Sequence, residues 1–245
     1  MNANAIDGVK RPFDETSETQ ETSQGGAWIY WAVAWGLVAA TTVISVVVYN
    51  KLPERVPIHW DIHGKIDAYG PKSWAVFGPL AIMAVMPPMF AILPWLSPPK
   101  YKIDSFQQPY LYIMVVIVAM MGYIQIVTST AALAPKLDTV RWMICGMMLF
   151  FAMMGNMLGK IRRNYFMGIR TPWTLASERV WNDTHRFGAR MFVLCGGLGF
   201  VMSAFGANPL FAVALILIAA LGPVLYSFTL SKKLEREGVL AADGD

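Results

Sequence analysis

Three side chains in the first third of the chain are of the types that bind metal ions or move protons. His59, Asp61 and His63 alternate along the sequence, so an extended backbone would place all three on one face. Imidazole and carboxylate groups are ligands that zinc accepts, but three ligands on one short strand rarely complete a tetrahedral site. We therefore interpret them as a polar face at a membrane surface, and we predict no metal site and no cofactor.

The remaining histidine, His185, lies in a segment rich in arginine and tryptophan that runs from Asn156 to Gly188. This segment contains a Thr-Pro-Trp-Thr-Leu turn and a Thr-His pair, and long apolar stretches flank it on both sides. We find in the sequence no nucleophile–base pair, no phosphate-binding loop and no convincing metal motif. The sequence therefore predicts a protein that is not an enzyme.

The elements that position these residues follow from composition. Apolar residues make up 56% of the 245 residues and charged residues only 15%, whereas a soluble domain carries about a quarter charged residues. Six apolar stretches, at 27–49, 74–96, 109–134, 141–159, 188–206 and 208–230, each approach the roughly 20 residues that a helix needs to cross a hydrocarbon core. The sequence predicts an all-α, polytopic membrane protein with a bundle of six transmembrane helices.

The stretches also divide the chain into parts. We predict a disordered acidic tail over residues 1–26, a first helical hairpin over 27–97 with an extracytoplasmic motif loop at 50–73, the third and fourth transmembrane helices over 98–159, a motif segment with the last two transmembrane helices over 160–232, and a cytoplasmic tail over 233–245.

The distribution of basic residues predicts the orientation. With the N-terminus inside, most of the 20 lysines and arginines fall on the cytoplasmic side, as the positive-inside rule favours. We expect a multi-pass membrane protein with both termini in the cytoplasm. His59 and Asp61 then lie on the opposite side of the membrane from His185, so one site cannot contain all three.

Local signals predict one further helix at the cytoplasmic face. Thr171 can cap a helix whose first residue is Pro172, the position that proline favours. Beyond it, Trp173, Val180 and Thr184 recur at helical spacing on one face. We predict an amphipathic interfacial helix that continues into the fifth membrane segment.

Polar and small residues inside the bilayer should serve helix packing. An unpaired amide in lipid is costly, so Asn156 either bonds a neighbouring helix or the turn at Gly168, with Gln125 among the candidate partners, or has a role in a functional site. The two alternatives have about equal weight. Gly155 and Gly159 predict a seam where another helix approaches closely. The prolines of the second stretch predict a kink or break at Pro87-Pro88.

Two motifs in this sequence resemble the SdpI family of bacterial multi-pass membrane proteins. The first matches a module of its relatives at Pro57, His59, Trp60, Asp61, Gly64 and Asp67, and it has no place for His63. The second matches the central family motif at Asn156, Arg163, Asn164, Gly168, Arg170, Thr171, Pro172, Trp173, Thr174, Trp181, Thr184, His185 and Gly188.

The resemblance implies a non-enzymatic protein that gives immunity against a membrane-active peptide toxin. In some members it also implies signalling, in which the protein holds a cytoplasmic repressor at the membrane. The implied partners are the lipid bilayer, a peptide toxin and such a repressor, with no direct binding of nucleic acid. Arg163, Arg170 and Arg186 could dock an acidic partner surface.

The alternative that we retain is a small transporter or channel component. The prolines of the second stretch, Gln125 and Asn156 would then line a path through the membrane. No acidic residue lies inside any apolar stretch to relay protons or bind a cation, which weighs against this alternative.

Overall fold

The structure is a computed structural model that describes residues 26–61, 63–98 and 103–239. Almost all of the predicted acidic tail, and the end of the predicted cytoplasmic tail, lie outside the described residues. The helices are α1 Ala27–Tyr49, α2 Lys72–Ile92, α3 Gln107–Leu133, α4 Thr139–Leu158, α5 Pro172–Ala176, α6 Glu178–Ala204 and α7 Pro209–Arg236. Six of them, all but the short α5, are long and apolar enough to cross a membrane. The predicted bundle of six helices is confirmed.

The loop at 50–73 holds two strands that the all-helical prediction did not include. Strands β1 Arg55–Trp60 and β2 Ile66–Pro71 pair antiparallel, and β2 leads directly into α2. The turn between them uses Gly64 at a φ of 79°, a conformation that costs glycine little. Both strands contain β-branched and aromatic residues, which favour extended structure: Val56, Ile58 and Trp60 on β1, and Ile66 and Tyr69 on β2.

Consecutive helices cross the bundle in opposite directions, which gives it two ends. We call the end with the β-hairpin the hairpin end, and the end where α4 is joined to α6 the motif end. At the motif end, the hydroxyl of Tyr110 on α3 donates to the carbonyl of Phe90 on α2 at 2.7 Å. At the hairpin end, Arg141 of α4 donates to the last turn of α6 at Ala204.

Glycines allow α4 and α6 to approach closely. A Cβ on Gly155 would lie 2.6 Å from the Cβ of Phe192, and one on Gly196 would lie 2.6 Å from the backbone nitrogen of Ala152. Gly159 also faces α6, with 3.4 Å from its Cβ position to the Cβ of Ala189. The predicted seam at Gly155 and Gly159 is confirmed, because small residues let helix backbones pack directly.

The structure corrects two predictions about the interior of the bundle. The predicted break at Pro87-Pro88 is wrong, because helix α2 continues to Ile92 and passes into a 3₁₀ turn, Leu93–Leu96, whereas a kink there stays a prediction. The predicted hydrogen bond of Asn156 is also wrong. Asn156 is exposed on α4 and makes no hydrogen bond with a described residue. Gln125 cannot be its partner, because it lies 18 residues into α3, roughly 27 Å along the axis from the motif end, where Asn156 lies.

Candidate functional site

The candidate site is the connector, residues 159–177, which joins α4 to α6 at the motif end and includes α5. Asn164 is completely buried at its centre. Its amide nitrogen donates to the carbonyls of Arg162 and Met167, and its amide oxygen accepts the backbone N–H groups of Phe166 and Met167, at 2.7 to 3.2 Å. One buried side chain thus fixes the backbone of the loop, as a fully satisfied polar group can.

His185 fastens the connector to α6. Its Nε2 accepts the backbone N–H of Ile169 at 3.0 Å, and its Nδ1 lies 2.7 Å from the carbonyl of Trp181. An amide nitrogen can only donate, so Nε2 must carry a lone pair and Nδ1 must carry the proton. His185 is completely buried and neutral, with both ring nitrogens engaged in structure.

Gly168 and Trp181 complete the packing around this histidine. Gly168 has a φ of 107°, and a Cβ there would overlap Nε2 of His185. The Trp181 ring stacks on the imidazole with a centroid distance of 4.0 Å, and its Nε1 donates to the carbonyl of Ile161 at 2.8 Å. Only glycine fits at residue 168, because the position needs both a positive φ and the absence of a side chain.

The predicted start of the interfacial helix is confirmed, but its length is wrong. Thr171 and Thr174 form a capping box with Pro172 as the first helical residue. The helix ends after Ala176, because Ser177 is extended, at φ −122° and ψ 129°, and its side chain caps the next helix by accepting from Val180.

The predicted amphipathic helix is therefore two elements, α5 and the first turns of α6. Val180 and Thr184 are buried on one face of α6, as the helical spacing predicted, whereas Trp173 belongs to α5. Trp181, His185 and Gly188 share the buried face of α6. Thr184 is buried although its hydroxyl has no hydrogen-bond partner among the described residues.

Helix α5 is held from both sides. Arg163 donates from Nη1 to the carbonyls of Leu175 and Ala176, each at 3.2 Å, and so caps its C-terminus. Nε1 of Trp173 donates to the hydroxyl of Ser227 on α7 at 2.7 Å. Arg163 was a predicted docking residue, but its guanidinium is part-buried and used within the connector.

Arg170 is the arginine of the motif whose side chain is left for a partner. It is exposed and makes no hydrogen bond or ion pair with any residue that the structure describes. Its neighbours along the chain are fixed, because Ile169 is bonded to His185 and Thr171 caps α5. The connector therefore presents the guanidinium of Arg170 from a backbone that is held on both sides.

The motif residues of the hairpin end lie on the two strands and on the turn between them. Nδ1 of His59 lies 2.6 Å from Oδ1 of Asp67 on the neighbouring strand, and both side chains are exposed. Oδ1 of Asp61 accepts the backbone N–H groups of His63 and Lys65, each at 2.8 Å. The bond from Lys65 is the main reason that the pKa of Asp61 lies below its ordinary value of 3.8.

The alternation of His59, Asp61 and His63 therefore does not build one polar face. The strand ends at Trp60, so Asp61 already belongs to the turn that Gly64 closes. Pro57 is buried in β1. Within the described ranges, no group of three or more histidine, cysteine, aspartate or glutamate side chains could hold a metal ion.

Sequence reasoning missed residues outside the motifs that support the site. Ser177 ends α5 and caps α6, and a serine followed by an acidic residue, Glu178, in the first helical turn is a readable signal for a cap. Ser227 and the carbonyl of Ile161 receive the two indole N–H groups of the motif. The local sequence does not indicate either acceptor, because each meets its indole only when distant segments pack together.

Comparisons with known proteins agree with this architecture. A family model described as "SdpI/YfhL protein family" matches residues 160–227, which contain the connector, α6 and most of α7. The Immunity protein SdpI of Bacillus subtilis (strain 168) is 27% identical over 204 residues, which cover 81% of this chain and 94% of that relative. The chain belongs to the SdpI family.

The similarity of this SdpI-family protein to known families extends beyond the connector. A second family model, "Domain of unknown function (DUF1648)", matches residues 36–84, which include the β-hairpin and parts of α1 and α2. No solved structure matches the chain. The six helices and the relative together identify a multi-pass membrane protein.

Proposed function

We propose that this SdpI-family protein gives the bacterium that carries it immunity against a membrane-active peptide. It would act without catalysis, as an integral protein of the cytoplasmic membrane with both termini in the cytoplasm. The relationship to an immunity protein over 94% of that relative's length supports this proposal. The structure of His185 is consistent with a non-catalytic role, since both its ring nitrogens are occupied in holding the connector.

The proposed mechanism rests on the exposure of Arg170. The buried motif residues, among them Asn164 and His185, hold the connector in shape, while Arg170 remains exposed without a described partner. A guanidinium on a fixed backbone binds a carboxylate without the cost of ordering the backbone, so only the freedom of the arginine side chain is lost. We propose that Arg170 contacts an acidic surface, either on the peptide or on a cytoplasmic repressor that the protein holds at the membrane.

The proposal is tested by survival. The chain is expressed in a Bacillus subtilis strain 168 derivative that lacks its own Immunity protein SdpI, and this strain is grown together with the parent strain. A second arm exposes the same cells to synthetic peptides that depolarise membranes, and a potential-sensitive dye reports the membrane potential. Cells with the chain should survive and stay polarised in at least one arm, whereas cells with an empty vector should not. If cells with the chain survived no better than cells with an empty vector in either arm, the proposed immunity function would be wrong.

The transporter alternative makes a different prediction. Its proposed path residues lie apart, because Gln125 is buried toward the hairpin end and Asn156 is exposed at the motif end. Purified protein in liposomes should therefore show no more flux of small ions than empty liposomes. A protein-dependent flux would favour the transporter and would have to be reconciled with the distance between these residues.

A further inference from the structure

A basic cavity of about 330 Å³ lies at the motif end, outside the buried centre of the connector. It is formed by the start of α3 with the turn before it, the first residues of the connector and the first turns of α6, and its cations are Lys160, Arg162 and Arg186. All three are exposed, and no ion pair within the described ranges includes any of them. No aspartate or glutamate is among the described residues that line the cavity.

This arrangement suits a phosphate group. Lysine and arginine donate charge-assisted hydrogen bonds to phosphate oxygens, and Asn182 adds a neutral polar side chain to the same wall. Basic cavities between transmembrane helices at the membrane face are typical sites for anionic lipid headgroups. A free phosphate ion would satisfy the same cations, so the surroundings of the cavity must decide between the two sources.

An apolar groove of about 340 Å³ adjoins the basic cavity. The two share Ile161 as a wall, and they lie along one face of α3. Pro109 lines the basic cavity, whereas Ile113 and Ile117, four and eight residues further along α3, line the groove. Each step of four residues advances about 6 Å toward the middle of the membrane. Met154 and Leu158 of α4 form the opposite wall.

We propose that this pair of cavities binds one anionic phospholipid of the surrounding membrane. The phosphate of the headgroup lies among Lys160, Arg162 and Arg186, and one acyl chain lies in the groove along Ile113 and Ile117. A polar anion joined to a hydrocarbon chain matches a basic cavity that continues into an apolar groove, whereas free phosphate would leave the groove without an occupant.

The bound lipid would also contact the connector. Gly168 and Ile169, which pack against His185, line the same groove. Any ligand that binds the folded protein stabilises it by mass action. Occupancy by the lipid should therefore raise the thermal stability of the protein, and this effect gives a readout that does not depend on immunity.

Native mass spectrometry of the full chain in detergent tests the headgroup. The protein is mixed with phosphatidylglycerol or with phosphatidylcholine of the same acyl chains, and bound lipid is counted. We expect one phosphatidylglycerol to be retained in preference to phosphatidylcholine. The variant R162Q/R186Q should lose this preference. The matched control R179Q/R190Q removes the same charge from exposed positions outside the cavity and should keep it. The proposal would be overturned if the wild-type protein retained both lipids equally, or if both double variants lost the preference for phosphatidylglycerol to the same extent.

The acyl chain is tested separately. In the Ile117→Trp variant, the larger side chain should fill the groove and weaken retention of long-chain phosphatidylglycerol, while the charged cavity stays intact. Dihexanoyl phosphatidylglycerol should bind the wild-type protein more weakly than the long-chain lipid does. The Ile117→Trp substitution should change the binding of this short-chain lipid little. If inorganic phosphate at millimolar concentration raises thermal stability as much as the lipid and displaces it, the site is one for a free anion and the lipid proposal is wrong.

Discussion

The Nε2 atom of His185 lies 3.0 Å from the backbone nitrogen of Ile169 and accepts its hydrogen bond. This contact joins α6 to the connector across sixteen residues of sequence, beside the bond from Trp181 to Ile161. The bond is part-buried, and a fully buried N–H that loses its partner costs about 1–3 kcal/mol, which is an upper bound here. Most of the motif therefore gives the connector its shape, and fewer residues remain for contact with a partner.

The first prediction concerns Gly168. Gly168→Ala should lower the free energy of unfolding by about 1–3 kcal/mol, because alanine is strained at positive φ and its Cβ overlaps His185. Thermal unfolding in mild detergent, followed by tryptophan fluorescence, measures the change. The matched control is Gly197→Ala on α6, where a Cβ meets nothing within 4 Å. Similar midpoints for the two variants would contradict the packing described around His185.

The second prediction concerns the attachment of α5 to α7. Trp173→Phe keeps the aromatic packing against Phe228 but removes the indole N–H that Ser227 accepts. A double-mutant cycle with Ser227→Ala should give a coupling energy of about 0.5–1.5 kcal/mol, measured from the same thermal unfolding. Strictly additive effects would mean that the hydrogen bond contributes nothing to holding α5.

The third prediction concerns acid and the β-hairpin. The pKa of Asp61 is lowered in the folded protein, so its stabilisation of the turn is complete above the ordinary value of 3.8 and is lost as the pH falls through the lowered value. The amide NMR signals of His63 and Lys65 should shift with a common midpoint below pH 3.8. Asp61→Asn should abolish the transition. A midpoint at or above 3.8 would contradict the bonding described for the turn.

The fourth prediction concerns orientation. Cys145 and Cys195 are both buried, so the wild-type chain should react little with a membrane-impermeant thiol reagent applied to intact cells. Lys65→Cys at the hairpin end should be labelled in intact cells. Arg170→Cys should be labelled only after the cells are opened. Labelling of Arg170→Cys in intact cells would reverse the proposed topology and separate the connector from any cytoplasmic partner.

The sequence was informative where local rules decide the structure. Segment length and hydropathy predicted the six helices, and the capping pair at Thr171 and Pro172 predicted where α5 begins. The end of α5 was readable in principle, since Ser177 is a good N-cap, but a continuous apolar face favoured one long helix. The β-hairpin was missed because we expected only helices, which satisfy their own backbone hydrogen bonds in lipid. That requirement does not apply to a loop outside the membrane-spanning helices.

The roles of individual motif residues could not be read in the same way. The partners of Trp173 and His185 are a side chain 54 residues away and a backbone N–H 16 residues away. Nothing in the local sequence distinguishes Arg163, which caps α5, from Arg170, which is exposed. Only the folded connector separates residues that build it from residues that it presents.

The fifth prediction tests the central claim that Arg170 is the contact residue of a connector whose other motif residues give it shape. Survival of cells that carry Arg170→Ala is measured in the co-culture and peptide assays, in whichever arm the wild-type chain protects, beside Arg179→Ala, an exposed arginine of α6 outside the motif. At equal amounts of folded protein, Arg170→Ala should lose protection and Arg179→Ala should keep it. Full protection by Arg170→Ala would contradict the account.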